Sequence, residues 1–255
     1  TQIPSYSLIH LDKEVKVADA AVEVERKRAV VVAEQKAVVQ QEEEKLNIEA
    51  QMTADRVRDV TLIEDPEGAL ANGSGPAFFT GRTNQSMFSV RRALVRFDVA
   101  SALPQNAIID RVFLTLYQSS NNIEPSDVGL HAVLDDWGEG ASFTGGGGGA
   151  SAEPGDATWL HTFWDAQYGV QQGGHFVLHA SATETISGSD FYTWQGTQQM
   201  VSNVRRWLHN PERNFGWLLM GDESTGGSVK RFDSRTAPNS NQHPVLTVEY
   251  HLPGE

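Results

Sequence analysis

Two hydrophobic rhythms divide this chain near residue 59. From Lys13 to Arg58 there is neither glycine nor proline, and Ala, Glu, Gln, Lys and Arg dominate, residue types that favour helix. Asp12 is placed to N-cap this stretch, with Glu14 in its first turn. The pattern predicts a long helix over residues 12–58, about 68 Å if continuous, preceded by an N-terminal arm over residues 1–11. Val17, Val24, Val31 and Val38 recur at heptad spacing, as an assembly column of a coiled coil does. Around Ala29-Val30-Val31-Val32-Ala33 the helix is apolar on every side and needs cover from more than one direction. A helix of this length is a stalk, an inter-subunit strut or a linker.

From Asp59 onward the period changes to two. Short apolar runs separated by Gly, Asn, Ser and Asp turns predict strands near 60–64, 77–82, 91–99, 108–118, 129–133, 175–180, 215–220, 230–233 and 245–250. The central one is Arg91-Arg92-Ala93-Leu94-Val95-Arg96-Phe97-Asp98. Ala93, Val95 and Phe97 fall on one face and Arg92, Leu94, Arg96 and Asp98 on the other. One amphipathic helix interrupts the strands. Thr197 caps it, Met200, Val201, Val204, Trp207 and Leu208 form its apolar stripe, and Asn210-Pro211 ends it. Such a helix covers an open end of a sandwich core. The expected fold is mainly β: a β-sandwich over residues 59–255, preceded by the long helix.

Composition sharpens the boundary. All 23 glycines lie at Gly68 or later, all six tryptophans at Trp137 or later, and five of the six lysines before residue 59. The chain has 255 residues and a formal net charge of −13. That acidic balance argues against nucleic-acid binding, which needs a basic footprint. There is no cysteine, which excludes disulfides, cysteine-ligated zinc and a thiol nucleophile. No apolar run approaches the length of a membrane span.

Four pieces in order carry a family resemblance. They are Gly81-Arg82-Thr83-Asn84 with the central strand; Leu134-Asp135-Asp136-Trp137-Gly138-Glu139-Gly140; Gly155-Asp156-Ala157-Thr158-Trp159; and Asn214-Phe215-Gly216-Trp217-Leu218-Leu219 with Lys230–Arg235 and Pro244–Val248. Together, over residues 59–251, they resemble the DNRLRE-domain proteins of bacteria, relatives of carbohydrate-binding modules. The resemblance implies a secreted jelly-roll sandwich, extracellular or on the cell surface, and carries no catalytic constellation.

Charged and aromatic groups supply the candidate chemistry. Arg231, Asp233 and Arg235 share a strand face and, with Arg96 and Asp98, could form one ion-pair lattice. The alternative is a cationic face for an acidic sugar. Asp135, Asp136, Glu139 and Asp156 could hold a structural calcium ion, form a solvated acidic turn, or pose as a glycosidase pair. Trp159, Trp164 and Tyr168 could stack on sugar rings or plug the core. His175 and His179 are about 13 Å apart along a strand, too far to share a metal. No HExxH or GxSxG pattern is present. The five glycines of Gly145–Gly149 form either a mobile tip or a place where backbone approaches a partner. The reading that follows is a non-catalytic, extracellular subunit that self-assembles through its helix into a filament, sheath or matrix. A carbohydrate-binding module is the alternative.

Overall fold

The computed structural model describes residues 22–38, 48–120 and 124–253. The chain divides into two compact units, Thr1–Asn47 and Ile48–Glu255.

In the first unit residues 22–38 are helical and form α1. Glu23 pairs with Arg26 at 3.1 Å and with Lys27 at 3.7 Å, the spacing at which helix-surface charges meet. Val24, Val31 and Val38 of the heptad column are 51%, 50% and 53% exposed. Val30 and Val32 are exposed as well, as an all-round apolar stretch without cover must be. Val17 and the N-terminal arm lie outside the described residues.

The second unit corrects the predicted end of the helix. Ile48–Met52 is strand β1, Ala54–Arg56 is a short 3-10 turn, and Val57–Ile63 is strand β2. Helix-favouring residues form a strand here because Met52 is fully buried and Ala50 packs beside it on the same core. Alternation toward a core overrides intrinsic propensity.

The remaining strands are β3 (Leu70–Asn72), β4 (Ala77–Arg82), β5 (Val90–Phe97), β6 (Ile108–Gln118), β7 (Ser126–Ala132), β8 (Ala150–Ser151), β9 (His161–Phe163), β10 (Gln167–Tyr168), β11 (Ala182–Ile186), β12 (Asp190–Trp194), β13 (Trp217–Met220), β14 (Lys230–Asp233) and β15 (Val245–His251). Helices α2 (Val99–Ala102) and α3 (Gln198–His209) complete the unit. It is mainly β and antiparallel. One layer runs β1-β15-β6-β14-β4, with β12 on the other edge of β6. The second runs β8-β3-β2-β5-β13-β7-β11. Strand β4 belongs to both: Ala77 to Thr80 pair with β14, and Gly81 and Arg82 pair with β5. Gly81 has φ 107° at this corner, a conformation that a side chain would strain.

The two layers and α3 share the main core. Ala93, Val95 and Phe97 of β5 meet Phe78, Leu114, Phe232 and Leu246 of the other layer. Met200, Val201, Val204, Trp207 and Leu208 are buried as the stripe predicts. Thr197 accepts the Met200 amide at 3.1 Å, satisfying an orphan donor of the first turn. Strand β5 is central. It pairs with β2 over seven residues and with β13 on its other edge.

A second core lies on the outer face of this sheet. Val60, Leu62, Leu94 and Leu218 are covered by Val133, Trp137 and Ala157, with Trp159 and Phe176 packed against them. This cover explains a misread strand. Residues 175–180 make only one bridge, Val133 to Phe176, because the segment lies over the sheet as a lid of loops. The short strands β1, β3 and β8 to β12 escape the sequence pattern, and each is five residues or shorter.

Candidate functional site

Part of the set singled out by sequence lies on this outer face, where Arg92 and Arg96 of β5 fasten the lid. Arg92 donates both ends of its fork to Glu223, at 2.7 and 3.0 Å, and its third nitrogen to the Gly173 carbonyl at 2.8 Å. Its guanidinium lies 5.1 Å from the Trp159 ring centre and 5.4 Å from that of Phe176, within range of cation–π attraction. Arg96 pairs with Asp136 at 3.0 Å. Arg91 is turned to the other side and buried. It donates to the Gly147 carbonyl at 2.6 Å, to the Phe88 and Val90 carbonyls and to Gln85. The glycine run is therefore a close backbone approach. At Gly149, φ is 81° and an added Cβ would stand 2.4 Å from Ile63 Cδ1.

The single ion-pair lattice expected from Arg96, Asp98, Arg231, Asp233 and Arg235 does not form. Strands β5 and β14 lie in different layers, and Phe232 faces the core between them, so Arg96 and Arg231 point out of opposite faces. Arg231 and Asp233 do pair, at 3.1 Å, with Ser119 between them. Asp98 instead caps α2, accepting the Ser101 amide at 3.3 Å.

Arg235 lies past the end of β14 and belongs to a separate cluster. Its fork grips Glu139 with two bonds of 2.7 Å. Glu139 also accepts the Asp59 amide at 2.9 Å, and the Arg235 amide donates to the Asp59 carboxyl at 2.9 Å. Asp59 is fully enclosed, and burial pushes its pKa up to about 7 against the pull of the Arg235 amide, with Glu139 adding to the rise. Sequence reading missed Asp59 because the strand was begun at Val60. Extending the alternation upstream through Val57, Asp59 and Thr61 places a carboxylate on the inward face, which is the signal that was available.

The calcium set is not brought together. Asp135 meets His175 at 3.0 Å, Asp136 meets Arg96, and Glu139 meets Arg235. Asp156 is buried and accepts the amides of Glu153 at 2.7 Å and Ser142 at 3.3 Å. Each carboxylate is occupied by its own donor, and no group of three or more His, Asp or Glu side chains suited to a metal occurs among the described residues.

The aromatic set also separates. Trp159 is partly buried under Arg92, whereas Trp164 and Tyr168 gather on His161. The His161 ring lies 4.7 Å from Trp164, edge-on, and 4.2 Å from Tyr168. Its Nδ1 is 3.0 Å from Thr158 Oγ1, and burial lowers its pKa despite the opposing charge of Asp165, which favours the neutral imidazole. Tyr168 is 73% exposed and is the outermost member. The cavity beneath the lid, walled by Leu62, Leu94, Trp137, Trp159 and His175, has a volume of about 20 Å³. That is room for one water, not for a sugar ring. Among the described residues no helix is long and apolar enough to cross a membrane. No protein-family model and no curated protein sequence matches the chain.

Proposed function

We propose that this chain is a non-catalytic structural subunit of an extracellular or cell-surface assembly, with the β unit as a rigid head and the N-terminal helix as the element of self-association. The observation that carries the proposal is the half-exposed heptad column Val24, Val31 and Val38, flanked by exposed Val30 and Val32. Valines at this spacing gain stability by packing against a second helix, and remain in water without one. The carboxylates of the loop lid, tied to arginine, histidine or backbone donors, suit a stiff head better than acid–base chemistry. The extracellular setting and a jelly-roll connection follow from the DNRLRE resemblance. Light scattering on the full chain should give a mass of two or more copies. The triple variant Val24→Ser, Val31→Ser, Val38→Ser should fall to one copy, with the β-strand circular dichroism unchanged. A monomeric parent chain, or an oligomer indifferent to the three serines, would sink the proposal.

A second reading, carbohydrate binding, is favoured by the exposed Tyr168 beside Trp164 and His161. Retention on a glycan array that Tyr168→Ala abolishes would support it.

A further inference from the structure

Leu130 and Ala132 of β7 face the main core, so Gly129 and His131 turn the other way, toward the lid. His131 is 7% exposed. Its Nδ1 lies 3.0 Å from the Val177 carbonyl. A carbonyl only accepts, so this nitrogen is the donor of the neutral ring. The imidazole fills the space above Gly129, where an added Cβ would stand 2.8 Å from Nε2. It meets the Phe176 ring edge-on at 5.3 Å.

Phe176 links this histidine to the apolar face beneath. Its ring also lies 5.4 Å from the Arg92 guanidinium, and it packs on the second core. Two residues before it, an added Cβ at Gly174 would stand 2.9 Å from Leu218 Cδ1 and 3.4 Å from Leu62 Cδ1. Residues 174–176 therefore cover Leu62 and Leu218. Backbone bonds tie the segment to β7 and its continuation. The Leu134 amide donates to the His175 carbonyl at 2.9 Å, the Val177 amide to Ala132 at 2.8 Å and the Ser181 amide to Leu130 at 2.6 Å.

The surroundings of His131 are hostile to a positive charge. Arg92 reaches it from β5 and His179 from the lid, and both oppose a proton on the ring. Glu223, the acid that faces Arg92, is gripped by that guanidinium at both oxygens. Asp135, at the base of the lid, pairs with His175. Burial is the largest effect, and the Val177 and Leu178 carbonyls offset it only in part, so the pKa of His131 lies below the ordinary histidine value.

We propose that His131 is an acid-operated catch: below about pH 6, protonation of its ring frees residues 174–180 and bares Leu62 and Leu218. In the closed unit a second cation beside Arg92 has no counter-charge to meet it. Once the segment lifts, the imidazolium reaches water. The open form therefore takes the proton more readily, and acid favours opening. The device does not depend on the self-association proposed above.

Hydrogen exchange of the full chain tests this, with each amide rate divided by that of the unfolded chain at the same pH. From pH 7.5 to 5.5, protection of the Val177 and Ser181 amides should fall by up to about tenfold, the most that one histidine of ordinary pKa about 6.5 supplies. Amides of β6 should hold their protection. His131→Asn keeps a donor for the Val177 carbonyl and cannot take the proton, so its fall should be under about twofold. The other titrating groups are common to both proteins and cancel in the ratio. Protection that holds in the parent, or a fall that the variant shares, overturns the proposal. Proton resonance of the His131 ring in the parent gives a check that does not need the variant to fold. The ring should titrate below about 6.5, in step with the loss of protection. A ring that takes its proton while Val177 and Ser181 stay protected overturns the proposal as well.

Discussion

Replacing Asp59 by Asn should remove a pH dependence that the fold places on itself. In the folded chain the Asp59 carboxyl is held at a pKa of about 7 against an ordinary 3.8, chiefly by burial. Its folded pKa is raised, so the native state binds the proton more tightly than the unfolded chain does. The associated stability is fully present below about pH 4 and is lost as pH climbs toward 7. A rise of about 3 units corresponds to roughly 4 kcal/mol over the whole interval. Between pH 5 and 8 the share is about 2–3 kcal/mol. For a unit of this size that is a fall of roughly 5–10 °C in melting temperature. Asn resembles the protonated acid. Its oxygen can still accept the Arg235 amide, and it cannot ionise. Thermal and urea unfolding of the parent and Asp59→Asn across pH 4–8 should give curves that meet near pH 4 and separate as pH rises, with the variant the more stable at pH 8. Other acids contribute equally to both proteins and cancel in the difference. Curves that stay parallel over the range would refute the reasoning, since Asp59 would then be ionised and accommodated in the fold.

Two further substitutions test how the lid is fastened. Arg92→Lys keeps the charge but loses the fork on Glu223 and the planar contact with Trp159 and Phe176; it should cost about 2 kcal/mol in urea unfolding, and a loss within experimental error would mean that the lid holds without it. Gly149→Ala adds a Cβ at φ 81° against Ile63; it should destabilise by about 1–3 kcal/mol and speed proteolysis of the glycine run, whereas an unchanged cleavage rate would contradict the close approach.

How far the sequence could be read depended on how local each cause was. The whole of α3 was legible, because its cap at Thr197, its stripe from Met200 to Leu208 and its stop at Pro211 are all encoded within fifteen residues. Strands β4, β6 and β14 were legible to the residue for a similar reason: their alternation is strong and their ends carry turn signals. Strand β1 was not, since Ile48, Ala50 and Met52 are drawn into a strand by β15, about 200 residues away. The charged residues show the same limit. Alternation placed Arg96 and Arg231 on faces, but could not say that those faces look in opposite directions. Proximity in sequence suggested that Asp135, Asp136 and Glu139 share an ion, while their donors, His175, Arg96 and Arg235, come from three distant segments.

The pairing of β1 with β15 has a mechanical consequence. Ile48 lies opposite Tyr250, and Met52 opposite Leu246, so the chain enters and leaves the β unit side by side at one edge. A load applied between those two points pulls the pair apart like a zipper, breaking its hydrogen bonds in succession instead of shearing them together. Such a unit yields early when strung in line between two anchors. It is far better suited to hang from a backbone as a pendant, where the force passes it by.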